Sequence, residues 1–232
     1  MTRVVRIDGL SDYRAVYALQ SAWVDARYRN DIEDTILMVE HAPTITVGRK
    51  RNAANNVLLA GEWPVVEVER GGDVTWHGPG QLVAYPIIKL EGERQDLHRH
   101  LHALEDAVIG VLAEIGLEGR TDPRNTGVWL PCGDGEQRKV ASVGIACRKW
   151  VTWHGLALNI DPEPDAFSRI RPCGFGAEIM TRIVDHGRTP LWTDVAERLA
   201  EHLTRTLDIP WAPMEIATEA PRCVSPDDTP GG

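Results

Sequence analysis

The stretch RGGDVTWHGPGQLVAYPI, from Arg70 to Ile87, joins a polar, glycine-rich segment to an apolar run. The apolar run predicts a strand over Leu82–Lys89, because it is rich in β-branched and aromatic residues. Glycine allows the backbone to come close to a ligand or to another segment of chain. Four glycines and Pro79 surround the polar residues of this stretch, which include Arg70, Thr75, His77 and Gln81.

Two interpretations of this polar segment are open from its residues alone. It is either a tight hairpin whose glycines satisfy turn geometry, or a loop that binds a ligand. The hairpin explains the glycines, but it does not explain the polar side chains between them. A phosphate-binding loop of the GxxxxGK[ST] pattern is excluded, because that pattern occurs nowhere in the chain.

The remaining sequence predicts a mixture of helices and strands. Apolar residues recur every three or four positions in Ser11–Arg29, in Asp96–Ile115 and after Thr193, which predicts three helices. A shorter helix is predicted after Gly174, through Ile183. The other predicted strands are Thr35–Val39, Thr44–Val47, Val65–Glu69, Lys139–Cys147, Trp150–Trp153 and Leu156–Ile160. Because several strands follow one another without a helix between them, we predict an α/β (α+β) fold with a mixed, largely antiparallel sheet flanked by helices.

The segment RKVASVGIACRKW, Arg138 to Trp150, contains a strand with one face of small residues. Ser142 and Gly144 alternate with larger apolar residues, and a small face beside a sheet leaves room for a ligand. Lys139 opens this strand, where a lysine is most often a solvated charge. The later segment HGLALNI reads as a strand with a polar start, and His154 either orients a substrate or caps that strand.

Of the four cysteines, Cys173 has the sequence context most favourable to a reactive thiolate. It lies between Pro172 and Gly174 at the start of the predicted short helix, with Arg169 and Arg171 close by. Cys147 is predicted to be an inert buried thiol, and Cys223 lies in a Pro-rich tail. No CxxC pair occurs, so the cysteines do not indicate a zinc ribbon or a thioredoxin-like site.

Composition and charge narrow the class of protein. With 232 residues, 43% hydrophobic and 25% charged, the chain is predicted to form one domain over residues 1–212, followed by a flexible tail over 213–232. The net charge of −9 disfavours non-specific nucleic-acid binding. The sequence shows neither an apolar run long enough to span a membrane nor a secretory signal peptide, so we expect a cytoplasmic protein without membrane association.

Two basic clusters have surface interpretations. His98 and His102 have metal-capable spacing, but no nearby carboxylate or cysteine completes a site, so surface histidines are the stronger interpretation. The run GRKR, which ends in Arg49, Lys50 and Arg51, is usually a solvated loop but is also a candidate for docking an acidic partner. Arg169 and Arg171 form the second candidate.

Taken in order along the chain, six motifs resemble the lipoyl(octanoyl) transferase family, the octanoyl-[acyl-carrier-protein]–protein N-octanoyltransferases. They are EHAPTITVGR (40–49), RGGDVTWHGPGQLVAYPI (70–87), GVWL (127–130), KVASVGI (139–145), HGLALNI (154–160) and PCG (172–174). The resemblance spans roughly residues 39–176, and RGGxxTxHGPGQ is its most specific element. It implies a fold like the catalytic core of biotin and lipoate protein ligases.

The resemblance also implies the site residues. Cys173 is expected to be the nucleophile and Lys139 its proton-accepting partner. The residues expected to bind the acyl substrate are Arg70, Gly71, Gly72, Asp73, Val74, Thr75, Trp76, His77, Ser142, Val143, Gly144, Gly155, Leu156 and Ala157. No metal or other cofactor is expected, because a thioester substrate arrives already activated.

The implied activity is transfer of an octanoyl group from octanoyl-acyl carrier protein to a lysine of a lipoyl domain, through an acyl-cysteine thioester. The expected acceptors are the lipoyl domains of 2-oxoacid dehydrogenase complexes and the glycine cleavage H protein, and the enzyme is expected to be a monomer. Two alternatives stay open: an ATP-dependent lipoate or biotin protein ligase of the same fold, and a non-catalytic acyl-binding module.

Overall fold

The fold is described from a computed structural model that covers residues 2–123 and 125–218. Its helices are α1 (Tyr13–Arg29), α2 (Leu97–Glu114) and α3 (Trp192–Thr206). Its strands are β1 (Thr2–Ser11), β2 (Asp34–His41), β3 (Thr44–Val47), β4 (Val65–Glu67), β5 (Val74–His77), β6 (Gln81–Ile87), β7 (Arg120–Asp122), β8 (Asn125–Pro131), β9 (Gln137–Arg148), β10 (Val151–Asn159) and β11 (Met214–Ala217).

Eight strands form the main sheet in the order β11-β1-β2-β6-β10-β9-β8-β7, and β4-β3-β5 form a second, small sheet. In the main sheet, β1 pairs in parallel with β2 and β11, and the other neighbours are antiparallel. The predicted fold class, a mixed and largely antiparallel sheet flanked by helices, is therefore confirmed.

The central strands β2, β6 and β10 are buried on both faces. Alternate residues of a strand point to opposite faces, so Leu82 and Ala84 pack with α2 and α3, whereas Val83 and Tyr85 pack with α1. The apolar core therefore lies on both sides of the sheet, with α1 on one side and the pair α2 and α3 on the other.

The three long predicted helices are confirmed, and two begin at an aspartate that caps the first turn. The carboxylate of Asp12 accepts a hydrogen bond from the backbone N–H of Ala15, and that of Asp96 accepts from the N–H groups of His98 and Arg99. Both satisfy N–H groups that lack a partner within the helix.

The predicted helix between Gly174 and Ile183 is wrong. This region contains three short 3-10 turns, at Pro172–Gly174, Ala177–Ile179 and Ile183–His186, joined by extended residues. The backbone N–H of Thr181 donates to the carbonyl of Lys139 at 2.9 Å. In a continuous helix the N–H of Thr181 would instead donate to a carbonyl of the same helix, so this hydrogen bond to β9 opposes a helix here.

Several strand boundaries also differ from prediction. The two strands predicted at Trp150–Trp153 and Leu156–Ile160 are one strand, β10, and the sequence pattern did not reveal β1, β5, β7 or β8. The start of the predicted flexible tail, at residue 213, comes too early, because β11 pairs with β1 at the sheet edge. Residues 219–232, which include Cys223, lie outside the described chain.

Candidate active site

A cavity of about 350 Å³ lies between the main sheet, the segment 70–77 and the start of α1. This volume is in the range of small-molecule sites in proteins. Its wall includes Lys139 and all but one of the predicted substrate-binding residues: Arg70, Gly71, Gly72, Asp73, Val74, Thr75, His77, Ser142, Val143, Gly144, Gly155, Leu156 and Ala157. The structure thus brings three separate motifs together at one place.

Trp76 is the predicted substrate-binding residue that lies elsewhere. Its ring packs against Trp63 and Phe167, with centroid distances of 5.9 and 5.5 Å, in a separate apolar cluster. It follows Thr75 on strand β5 and so points to the opposite face. The prediction for Trp76 is therefore corrected to a core position under the small sheet.

The predicted small face of β9 forms the floor of the cavity. In the β9–β10 pair, Ser142 lies opposite Ala157 and Gly144 lies opposite Gly155. A Cβ at Gly144 would lie 2.9 Å from the carbonyl oxygen of Gly71, so glycine there allows the segment 70–72 to approach the sheet. The N–H of Gly71 in turn donates to the carbonyl of Ile145 at 2.9 Å.

Lys139 lies at one end of the cavity and is only 5% exposed. Its Nζ donates to the carbonyl oxygen of Thr126 at 2.9 Å and lies 4.9 Å from the ring centroid of Trp129. Gly127, with φ +126°, is what makes this position possible, because a Cβ there would lie 3.3 Å from Cε of Lys139 and 2.4 Å from the carbonyl oxygen of Ala141. The motif GVWL therefore surrounds the Lys139 side chain and fixes its position.

Cys173 belongs to a turn of three residues, Pro172–Gly174. The predicted α-helix is absent from this described region, so a helix dipole does not supply the reactivity expected of the thiol. The bridge between Met180 and Lys139 places the segment that follows Cys173 beside the lysine. The side chain of Cys173 lies outside the described structure, so its pairing with Lys139 stays a prediction.

Asp73 and Lys50 form an ion pair at the cavity wall, with 2.9 Å between Nζ and the carboxylate. Burial raises the pKa of Asp73, but hydrogen bonds from Asn56, Lys50 and the N–H of Val74 lower that pKa by more, so the carboxyl stays ionised. Lys50 therefore belongs partly to the site, although its side chain is 52% exposed, and the basic run Arg49, Lys50 and Arg51 stays on the surface.

A hydrogen-bond chain leads from the signature segment to the backbone of Lys139. Arg70 donates to Oγ1 of Thr46 at 2.9 Å, and this hydroxyl lies 3.4 Å from Nε2 of His77. Nδ1 of His77 then donates to Oε1 of Gln81 at 2.8 Å. The direction is fixed because the Gln81 amide nitrogen donates to the side chain of Asn159, at 3.0 Å, and so its oxygen faces His77.

The chain continues beyond Gln81. Nδ2 of Asn159 donates to the carbonyl of Thr181 at 3.1 Å, and the N–H of Thr181 donates to the carbonyl of Lys139. Gln81 and Asn159 are both about 1% exposed. These motif residues therefore hold the segment 180–181 against β9 and position the strand end that carries Lys139.

A second group of buried polar rings lies at the other end of the cavity. Nδ1 of His41 donates to the carbonyl of Ser11 at 3.2 Å, so its Nε2 accepts from the hydroxyl of Tyr85 at 2.8 Å. Tyr13 hydrogen-bonds with Tyr85, and its ring stacks on that of His77 at 5.4 Å. Sequence reasoning missed the two tyrosines, because each reads there as an ordinary apolar position of α1 or β6.

The histidines around this end of the cavity are neutral at pH 7. Burial lowers the pKa of His41 to about 4. Burial, followed by the positive charge of Arg70, lowers the pKa of His154 to about 3. The pKa of His77 is also lowered well below its usual value, first by burial and then by the nearby His41 and Arg70. His41 and His77 therefore act as hydrogen-bonding groups rather than as charges.

The other candidate groups have ordinary structural settings. His98 is exposed, and His102 pairs with the buried carboxylate of Glu105, as expected for surface histidines. Cys147 is half-buried rather than buried as predicted, and this burial raises the pKa of its thiol. In residues 2–123 and 125–218, no three His, Cys, Asp or Glu side chains come together to hold a metal ion, and no helix is long and apolar enough to span a bilayer.

Comparison with known proteins identifies the family. A family model for the lipoyl protein ligase A/B catalytic domain matches residues 12–204. The chain belongs to this family. It is 40% identical over 219 residues to an octanoyltransferase of Geobacter metallireducens, covering 94% of this chain and 100% of that protein. It is 42% identical over 209 residues to an octanoyltransferase of Syntrophobacter fumaroxidans, covering 88% and 90%.

Solved structures show the same fold at low sequence identity. A lipoate-protein ligase A bound with ATP aligns with a TM-score of 0.71 at 17% identity, covering 95% of this chain and 91% of that one. A biotin protein ligase from Aquifex aeolicus with biotin and ATP aligns with a TM-score of 0.52 at 14% identity, covering 89% and 70%. The predicted resemblance to the core of these ligases is therefore confirmed.

Proposed function

We propose that this protein is an octanoyltransferase that moves an octanoyl group from octanoyl-acyl carrier protein to the lysine ε-amine of a lipoyl domain. The observation that carries the proposal is the buried Lys139, which lines the same cavity as residues 70–75 and His77 of the RGGxxTxHGPGQ segment. Curated relatives of about 40% identity are octanoyltransferases, and the alignment with one of them covers its full length. The enzyme is accordingly an acyltransferase.

The first half-reaction forms the acyl-enzyme. Lys139 accepts the proton of the Cys173 thiol, and the thiolate attacks the carbonyl carbon of the octanoyl thioester. The bond from that carbon to the carrier sulfur then breaks, and the carrier thiolate takes the proton from Lys139. The products are octanoyl-Cys173 and the free thiol of the carrier, so atoms and charge balance.

The second half-reaction releases the product. The neutral ε-amine of the lipoyl-domain lysine attacks the carbonyl carbon of octanoyl-Cys173. The bond to Sγ breaks, an amide forms, and the proton lost by the amine returns to the thiolate by way of Lys139. Neither half-reaction consumes ATP, because the acyl group enters as a thioester.

The surroundings of Lys139 suit this alternation between two protonation states. The carbonyl of Thr126 and the ring of Trp129 stabilise the ammonium form. Burial opposes that same form, since it removes the charge from water.

The partners remain part of the proposal. Acyl carrier protein is the donor, and the acceptors are lipoyl domains of 2-oxoacid dehydrogenase complexes and the glycine cleavage H protein. Arg49, Arg51 and Arg171 are exposed, and Phe175, four residues after Arg171, is 48% exposed. Arg169 is withdrawn from the predicted docking set, because its guanidinium lies 3.9 Å from the ring of Trp63.

We extend the proposal to a monomer that acts in the cytoplasm, where the carrier substrates of this chemistry are found. Replacing Arg49 and Arg51 with alanine is expected to raise the KM for acyl carrier protein, while kcat stays the same. An unchanged KM would remove this surface from the proposal. Lys50 is left in place in the variant because it is paired with Asp73.

The experiment that tests the activity supplies an apo lipoyl domain with two alternative acyl sources. One reaction contains octanoyl-acyl carrier protein and no nucleotide; the other contains free octanoate, ATP and Mg²⁺. We expect octanoylated domain, detected by mass, only in the first reaction. Product only in the second would place the protein among the ATP-dependent ligases, and product in neither would favour an acyl-binding module.

A further inference from the structure

Glu105 of α2 is a buried acidic residue that the mechanism above leaves unused. It is 2% exposed and lies one helical turn after Leu101, which lines the cavity. A carboxylate is costly to remove from water unless it is hydrogen-bonded, so its partners indicate its role. The other buried residues of α2 are apolar or neutral: His100, whose pKa is lowered to about 4 by burial, Ala103, Leu104, Ala107, Val108, Val111 and Leu112.

Both carboxyl oxygens of Glu105 have a partner. Oε1 accepts a hydrogen bond from the backbone N–H of Gly127 at 2.7 Å, and Oε2 lies 3.0 Å from Nδ1 of His102. The distance to Gly127 is in the range of hydrogen bonds to ionised carboxylates. Because the His102 side chain is 67% exposed, the contact with Gly127 is the one made on the protein side.

The peptide group that joins Thr126 to Gly127 lies between Glu105 and Lys139. Its N–H donates to Glu105, and its C=O accepts the hydrogen bond from Nζ of Lys139 at 2.9 Å. In a trans peptide group the N–H and the C=O point in opposite directions. The carboxylate, the peptide group and the amine therefore form one hydrogen-bonded row, in which carboxylate oxygen and amine nitrogen are at most about 8 Å apart.

This arrangement affects both the position and the charge of the lysine. A hydrogen bond at the N–H polarises the peptide group in the sense that strengthens the hydrogen bond at its C=O. The negative charge of Glu105 also attracts the ammonium form of Lys139 through a buried region, where solvent screens the attraction only weakly. The contact with Glu105 further fixes the direction in which the Thr126 carbonyl points.

We propose that Glu105 is a positioning residue for Lys139 and that it acts through the peptide group of Thr126 and Gly127. The inference rests on the proposed octanoyl transfer, in which Lys139 takes the proton of the Cys173 thiol. Glu105 holds the carbonyl that receives Nζ, and it stabilises the ammonium group that this proton transfer creates. Its effect on the reaction is indirect.

The test measures the single-turnover rate of octanoyl-Cys173 formation from octanoyl-acyl carrier protein between about pH 6 and pH 9, by intact-protein mass after rapid quenching. Glu105→Gln keeps an oxygen that accepts from Gly127 but removes the negative charge. Without that charge the lysine loses its proton more readily, so the limb on which the rate rises with pH should move to lower pH by about one unit. The KM for the carrier should stay the same.

Glu105→Leu removes the acceptor as well as the charge. The peptide group is then no longer held in place, so the acylation rate on the plateau of the profile should fall by about 10- to 100-fold. Denaturant unfolding of each variant establishes that it is folded under the assay conditions. A plateau rate equal to that of the wild type in folded Glu105→Leu would contradict the positioning role.

The control is Asp106→Asn. Asp106 follows Glu105 on α2 and is exposed, so the variant removes the same charge from the same helix on its solvent side, and its profile should match the wild type. A limb in Glu105→Gln within about 0.3 unit of wild type, or an equal shift in Asp106→Asn, would overturn the inference while leaving octanoyl transfer intact. A wild type that forms no octanoyl-Cys173 would instead overturn the proposed function, and this inference with it.

Discussion

The two ends of the cavity hold their polar groups in different ways. At the Lys139 end, one amine is fixed by a backbone carbonyl and an aromatic ring, in space that Gly127 leaves open. At the other end, beside the guanidinium of Arg70, neutral histidines and tyrosines are fixed mostly by one another. The comparison indicates that the Lys139 end serves proton transfer. The end with the histidines and tyrosines instead determines the shape of the cavity and contributes to the stability of the fold.

The largest expected effect is on activity, at the lysine end. Lys139→Met keeps a side chain of similar length and removes the proton acceptor, so kcat should fall by about 10² to 10⁴-fold. The matched control is Lys149→Met, which removes an exposed lysine outside the cavity. Steady-state octanoyl transfer measures both variants. If Lys139→Met retains more than about a tenth of the activity, the assigned role of the lysine is wrong.

The next prediction concerns Gly127, which leaves space for the Lys139 side chain. Gly127→Ala places a Cβ 2.4 Å from the carbonyl oxygen of Ala141 at a φ of +126°, which alanine does not readily adopt. We expect a loss of roughly 3 kcal/mol in the free energy of unfolding, together with reduced kcat. Gly133→Ala is the control, since a Cβ at Gly133 meets no atom within 4 Å. Equal denaturation midpoints for the two variants would contradict this account of the GVWL motif.

The histidine end should respond to pH. Burial holds the pKa of His41 at about 4 in the folded protein, against about 6.5 in the unfolded chain. Between these values the unfolded state binds more protons, so stability is complete above pH 6.5 and falls as the pH is lowered towards 4. His41 alone contributes a loss of about 3 kcal/mol over this window.

Denaturant unfolding at several pH values, for wild type and His41→Gln, isolates this contribution. The variant is expected to be less stable at pH 7 but to lose less stability between pH 6.5 and 4. Carboxylates that titrate in the same window are common to both proteins and cancel in the difference. Parallel pH profiles would show that His41 is not buried in its neutral form.

The smallest effect concerns the hydrogen-bond chain between the two ends. Gln81→Leu leaves Nδ1 of His77 and the amide of Asn159 without their partner, which should cost about 2 kcal/mol in unfolding free energy. Gln137→Leu, on the exposed start of β9, is the control. Because the chain reaches the backbone of Lys139, the pH dependence of kcat should also shift in Gln81→Leu. A change in stability without that shift would confine Gln81 to a structural role.

The sequence was sufficient for the features that repeat locally. The periods of α1, α2 and α3 and the small face formed by Ser142 and Gly144 were readable, because each depends on neighbours a few positions apart. The same holds for the fold class, which followed from the order of the elements. The family resemblance added the site residues; Lys139 and the predicted substrate-binding residues other than Trp76 line one cavity, and the place of the Cys173 side chain stays a prediction.

What could not be predicted depends on contacts between distant segments. The region after Cys173 has helical composition, but its hydrogen bond to β9 opens it into short turns. β11 could not be predicted from its own Pro-rich stretch, because this strand is stabilised by its pairing with the distant strand β1. Tyr13, Tyr85 and the strained His154 gain their importance only where α1, β6 and β10 meet.

The central claim is that the acyl group passes through Cys173, and intact-protein mass measures it directly. Wild type and Cys173→Ala are incubated with octanoyl-acyl carrier protein without ATP, with and without hydroxylamine. The account predicts one octanoyl adduct on the wild type that hydroxylamine removes and that an apo lipoyl domain discharges, and no adduct on the variant. An adduct that persists in Cys173→Ala, or octanoylation of the domain by that variant at the wild-type rate, would contradict it.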